Sequence, residues 1–156
     1  MRVRVIAVGR RLPGWVGEVF GEYVRRLPGT LRVALEELQP GPRGGARGSV
    51  QAIETERERL LGAVRGADFV VALDEHGREL TTHELAGWLA QRMREGRDLA
   101  FLIGGPDGLA PAVLERSDFT WALSRLTLPH ALVRVVLAEQ LYRAHTVLTG
   151  HPYHRE

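Results

Sequence analysis

Residues 99–109 read LAFLIGGPDGL, a short apolar run that breaks abruptly into glycine. Five consecutive apolar residues ahead of a turn signal suit a strand buried on both faces. A parallel sheet covered by helices on each side has no solvent face for polar residues to alternate towards. In the turn, Gly104 and Gly105 let a ligand approach the main chain closely, and Gly108 permits a positive φ. Asp107 offers acceptors to a ligand or to the turn itself. A plain strand-to-helix turn would use the same residues, so the stretch alone leaves both readings open.

Similar elements appear on either side of it. FVVAL at 69–73 is a second continuous apolar run. RVRVIAVG at 2–9 is β-branched and stops at Gly9, and LRVALEEL at 31–38 alternates with Leu31, Val33 and Leu35 on one side. FTWAL at 119–123 gives a fifth strand. Helical spacing fills the gaps: Trp15, Val16, Val19, Phe20, Tyr23, Val24 and Leu27, then Ile53, Leu60, Leu61 and Val64 with Ser49 as the expected cap. Thr81 and Glu84 form a capping box ahead of Leu85, Trp88, Leu89 and Met93, and Gly96 suits the helix end. Pro111 opens a short helix. His130 to Leu148 is a long one, with Val133, Val136, Leu137, Leu141 and Ala144 along one side. Such alternation predicts an α/β fold, a mostly parallel sheet sandwiched by helices in a single domain over 1–156. Ligands of these sheets sit beyond the carboxyl ends of the strands. Three segments take that place: LDEHG, GGPDG and LSRLTLP.

Composition narrows the chemistry. Cysteine is absent, which excludes disulfides, thiolate catalysis and Cys-ligated zinc. No apolar run reaches the roughly 20 residues of a membrane span, and the opening residues lack the long apolar core of a signal peptide. A cytoplasmic protein is expected. All 21 cationic Lys/Arg positions are arginine. Genomic codon bias accounts for such usage, yet guanidinium forks match phosphates and stack on bases whatever their origin. Arg10, Arg11, Arg25, Arg26, Arg43 and Arg47 fall in or beside loops of the first third, as a phosphate-facing patch or as solvated surface. QPGPRGGARG at 39–48 reads as a flexible, basic loop.

GGPDG is neither the G-x-G-x-x-G fingerprint nor a Walker A loop, which would need a lysine; AVGRR at 7–11 also lacks the fingerprint. An ordinary dinucleotide site is unsupported. In LSRLTLPH at 123–130, the main chain can read the edge of a planar ring between Leu123, Leu126 and Leu128. Thr127 equally suits the cap of the last helix, with Pro129 in its first turn. His130 fits a helix start as readily as a catalytic role. His151 and His154 stand three apart, but Pro152 denies them a regular helix, so no metal site is expected. His76, His83 and His145 are expected at the surface. Trp15, Trp88 and Trp121 are expected to pack in the core.

LIGGPDGL, LTLPH and the closing HPYHRE, with LVRVVLAEQLYRA between, resemble the ribosomal RNA large subunit methyltransferase H family. AVGRRLPGWV and EYVRRLP near the start resemble it too, and the likeness runs from Met1 to Glu156. The loop from Gln39 to Ser49 departs from the family pattern, offering arginine and glycine where lysine is typical. This family is part of the SPOUT superfamily. The resemblance implies a C-terminal trefoil knot, a homodimer, S-adenosyl-L-methionine as methyl donor and no metal. As substrate it implies N3 of a pseudouridine in 23S rRNA, within the large subunit or assembled ribosome and with no membrane. Leu73, Gly105, Leu123, Ser124, Arg125, Leu126, Thr127 and Leu128 match the family's donor-binding positions, and Gly104 is expected to share the site. In a dimer, the tail of one chain can reach the donor site of the other. Arg155 is then the expected group to bind the base and stabilise its charge, His154 the proton acceptor, and Tyr153 the residue that positions or stacks the base. Two other classes are weighed: a non-catalytic ribosome-binding or assembly factor, and a metal-dependent RNA hydrolase built on the terminal histidines.

Overall fold

A computed structural model describes residues 1–155 of the chain. Its strands are β1 (Arg2–Val8), β2 (Arg32–Leu38), β3 (Phe69–Glu79), β4 (Leu99–Ile103) and β5 (Phe119–Ala122). The helices are α1 (Gly14–Arg25), α2 (Gly48–Ala63), α3 (Thr82–Glu95), α4 (Pro111–Arg116) and α5 (His130–Thr149), followed by a 3₁₀ turn at Pro152–Arg155. All pairings are parallel, and the strand order is β2-β1-β4-β3-β5. LAFLI takes the central position, and every residue of it is buried.

Period-two geometry divides the central strands between two cores. Val3, Val5 and Ala7, with Leu99, Phe101 and Ile103, face Phe20 of α1, Leu85 and Leu89 of α3, and Leu137 and Leu141 of α5. Ile6 and Val8, with Ala100 and Leu102, face Leu60 of α2 and Val113 of α4. Three helices cover one side and two the other, so a chain of 156 residues buries all of β4 and all of β1 but Arg2. Emptying such a site, as in Phe101→Ala, costs about 3–5 kcal/mol. Arg4 breaks the pattern on the two-helix side. It bonds Glu36 at 2.7 Å and Asp68 at 2.9 Å, so a buried charge is met at the strands' amino ends.

Several local expectations hold. The capping box of Thr81 and Glu84 is present. Gly96 ends α3 at φ 74°, Pro111 opens α4, and Gly108 has φ 80°. Others do not. LDEHG is not a loop after β3 but a bulge within it: Leu73 and Arg78 both pair with Trp121, leaving residues 74–77 arched above β5. Ser49 lies inside α2 and caps nothing; Arg47 holds the cap position without a side-chain bond. Trp15 is 46% exposed, because the buried face of α1 runs through Val16 and Phe20, and Trp15 is one residue, about 100°, off it. No helix among the described residues is long and apolar enough to cross a membrane.

Candidate active site

Three chain segments meet at the carboxyl end of the sheet and enclose a cavity of about 890 Å³. The β3 arch supplies Leu73, Asp74, Glu75 and His76. The turn after β4 supplies Gly104, Gly105 and Asp107, and the loop after β5 supplies Leu123, Ser124, Leu126, Thr127 and Leu128. Eight of the nine positions expected to bind the donor therefore line one space. Arg125 is the exception: its side chain turns outward to Glu79 at 2.7 Å and is 90% exposed. His130 and Val133, in the first turn of α5, close the wall.

Local chemistry explains the shape. A Cβ on Gly104 would stand 2.7 Å from the Gly108 carbonyl oxygen, so only glycine lets the turn fold back on itself there. Thr127 does not cap α5, whose cap position is Pro129. Instead its hydroxyl donates to Glu75 at 2.5 Å, tying the β5 loop to the arch. Ser124 accepts from the Leu126 N–H at 3.0 Å, which sets that loop's turn. Trp121 packs in the core as expected, yet it also lines the cavity, and its indole N–H is buried without a partner.

The cavity's charge is one-sided. Asp74, Glu75 and Asp107 line it, and among the described residues no arginine does. That suits a ligand with positive charge and opposes one rich in phosphate. Cations stand just behind the wall. Arg134, 1% exposed, donates to the Gly9 carbonyl at 2.9 Å and to Glu37 at 2.7 Å. Burial, then the charges of Arg134 and Arg43, push the His130 imidazole below its ordinary value, so it is held neutral.

The arginines of the first third separate into two kinds. Arg25 and Arg26 both pair with Glu22 on α1. Arg43 is drawn inward to Glu56 and Asp107, so the 39–48 loop is tethered at that point rather than free. Arg10 and Arg11, at the tip of β1, and Arg47, at the start of α2, are exposed. Arg11 is the one described non-glycine residue with a positive φ, 58°.

The tail lies at the far end of α5. A 20-residue helix spans about 30 Å, so Tyr153, His154 and Arg155 do not reach the cavity of their own chain. Tyr153 and His154 are nevertheless packed against the rest of their chain. The chain turns at Gly150, and the His151 N–H donates to the Thr146 carbonyl at 3.0 Å. All three tyrosines of the sequence then converge: Tyr153 lies 4.7 Å from Tyr142 and 6.5 Å from Tyr23, centroid to centroid. The Tyr153 hydroxyl donates to Glu139 at 3.1 Å, and Arg143 stacks over its ring at 4.9 Å. Burial first, then Tyr23 and Glu139, raise the Tyr153 phenol well above its ordinary value, so it stays a donor. His154 leaves Nδ1 buried without a partner, and Arg155 is exposed. Glu156 lies outside the described residues. Tyr23 read as helix core, and Glu139, Tyr142 and Arg143, within LVRVVLAEQLYRA, were given no role of their own in the sequence.

Among the described residues no three potential ligands gather to hold a metal ion. Residues 1–154 match the family model described as "Predicted SPOUT methyltransferase". The chain is 49% identical over 156 residues to the Ribosomal RNA large subunit methyltransferase H of Thiobacillus denitrificans, covering all of both chains. It is 50% identical over 156 residues to the protein of the same name from Thioalkalivibrio sulfidiphilus, again over both full lengths. That of Methylococcus capsulatus is 48% identical over 155 residues, 99% of this chain and 100% of the relative. Among solved structures, a probable methylase family protein from Haemophilus influenzae Rd KW20 superposes with a TM-score of 0.56 at 13% identity. It covers 97% of this chain and 69% of that one, a likeness of fold.

Proposed function

Because the chain belongs to the SPOUT methyltransferase family, and within it to the ribosomal RNA large subunit methyltransferase H group, we propose that it methylates N3 of a pseudouridine in 23S rRNA with S-adenosyl-L-methionine as donor. The observation that carries this reading is the cavity: apolar, rimmed by carboxylates, free of arginine and lined by eight of the nine expected positions. When bound, S-adenosyl-L-methionine supplies a methyl group activated by a sulfonium.

The residues present fit that donor. Main-chain groups of Leu123–Leu128 read the adenine edge, with the leucine side chains as walls. Gly104 and Gly105 let the turn present main chain to the cavity, because a Cβ on Gly104 would collide with the Gly108 carbonyl and one on Gly105 would press on Arg43 and Glu56 behind it. Asp74 and Glu75 favour a ligand that bears a positive sulfur. The unpaired Trp121 N–H adds a buried donor to the same wall.

The acceptor side of the site comes from a second copy of the chain. In support, α5 is apolar around more than its core face: Leu132 and Leu148 are exposed, while Val135 and Val136 are only part-buried. The partner's tail then meets the cavity. Tyr153, anchored on Glu139, positions the base, and His154 takes the N3 proton. Arg155 stabilises the anion left on the ring, with which N3 attacks. Alignment supplies much of the acceleration, so the tail must be docked rather than frayed. Arg10, Arg11 and Arg47 suit the rRNA backbone beside the cavity. A trefoil knot near the C-terminus belongs to the same reading. It is supported by α5 returning from the sheet edge at β5 to pack between α1 and α3. A cytoplasmic enzyme acting on the large subunit or assembled ribosome follows.

Incubation of ribosomes lacking the modification with protein and labelled donor tests this, read by mass spectrometry of the 23S rRNA. One methyl group on N3 of a pseudouridine is expected. Ribosome binding with no methyl transfer and no donor binding would replace the reading with that of an assembly factor.

A further inference from the structure

Glu56 is 2% exposed on α2, a helix otherwise given to surface charge. A carboxylate is buried at a cost that only firm partners offset. One of its oxygens has them: Oε1 accepts from the Gly41 N–H at 3.1 Å and is ion-paired with Arg43 Nη1 at 2.8 Å. Oε2 has no partner. Both oxygens face Gly105, where a Cβ would stand 3.3 Å from each and 3.1 Å from Arg43 Nη2. Arg43 continues through Nε to Asp107 at 2.9 Å. A single guanidinium thus joins α2, the β2–α2 loop and the turn after β4.

Packing holds the same joint from behind. A Cβ on Gly41 would stand 2.4 Å from the Ala52 carbonyl oxygen, so the loop lies directly on α2. The other face of the Gly105–Asp107 turn lines the cavity. Within itself the turn is closed by a short antiparallel bridge between Gly105 and Gly108, with the Gly108 N–H donating to the Gly105 carbonyl at 3.1 Å. That bridge sets the turn's shape, while its contacts to α2 and the β2–α2 loop run through Arg43 and Glu56.

We propose that Arg43 and Glu56 are positioning residues of the donor site: they touch no ligand, and they fix the Gly105–Asp107 turn at the spacing from the β5 loop that the donor needs. Released, the turn drifts toward α2 or away from it, and the cavity loses its width. The inference rests on the donor reading above. It adds that donor affinity is set partly from the basic loop between β2 and α2, outside the cavity.

The test is calorimetry of the full-length chain with S-adenosyl-L-methionine, alongside steady-state methylation of ribosomes. Arg43→Gln and Glu56→Gln should each weaken donor binding about tenfold, raising the donor KM while kcat at saturating donor stays within about twofold. The ribosome KM should not move, a split that general loosening of the fold would not give. Arg43→Lys should recover part of the affinity, since an ammonium meets one carboxylate but cannot bridge two. The double variant should be no worse than the weaker single one, because both remove the same joint. It also leaves no lone charge buried, so it keeps the test open if a single variant unfolds. Wild-type donor affinity in a folded double variant would overturn the proposal. Absence of donor binding by the wild-type chain would instead overturn the donor reading on which it rests.

Discussion

One helix, α5, ends in two unlike surfaces. Its first turn closes a cavity with apolar walls and carboxylates at the rim. At its other end Tyr153, His154 and Arg155 form a ledge packed on Tyr142 and Arg143 of the helix itself. The first suits a cationic small molecule, and the second a planar base that must lose a proton. About 30 Å of helix separates them. The lesson is geometric: the cavity and the tail do not meet within one chain, and the proposed chemistry takes one of them from a second copy.

The sharpest way to break that comparison is to remove one end. Deleting Tyr153 to Glu156 should lower rRNA methylation by on the order of 100-fold or more, with donor affinity unchanged by calorimetry. Full activity would mean that the ledge has no part in the reaction. At the other end, Gly104→Val should lower donor affinity at least about tenfold, because its Cβ collides with the Gly108 carbonyl. Mixing these two impaired chains, at donor too dilute to load the Gly104→Val cavity, should then restore roughly a quarter of the activity, since random pairing gives one intact site in each mixed dimer. No recovery in verified mixed dimers would refute a shared site.

Smaller changes sharpen the contrast. Tyr153→Phe removes the bond to Glu139, worth about 1 kcal/mol, and should reduce kcat several-fold through a looser tail. The smallest effect concerns pH. His130 at one end and His145 at the other are both held below the ordinary imidazole value, chiefly by burial. The unfolded chain therefore binds protons that the folded chain resists, and stability falls as pH drops below about 6.5. His130→Gln or His145→Gln should each flatten that slope, changing the acid-side melting temperature by roughly 2 °C. An unchanged slope in both would show that neither imidazole is held neutral.

Much of the fold was legible because hydrophobic period is local. LAFLI, FVVAL and the capping box of Thr81 and Glu84 needed only their neighbours to be read. The errors came where a distant partner decided. LDEHG has turn composition, yet β5 pairs on both sides of it and makes it an arch. Thr127 had the look of a cap, but Glu75 takes its hydroxyl from 52 residues away. The glycines and leucines of the cavity were found through turn chemistry and resemblance. Glu56, Arg43 and Glu139 were not, because their partners come together only in the folded chain.

The central pairing has a consequence in time. β1 lies between β2 and β4, with Val3 opposite both Val33 and Leu99. During synthesis the β2 side can zip early, but the other flank stays open until the chain from Leu38 to Leu99, about 60 further residues, has left the ribosome. An uncovered, apolar strand flank invites pairing with strangers. Folding of this chain is therefore expected to be slow and dependent on dilution or chaperones, a vulnerability that ends only when LAFLI arrives to seal it.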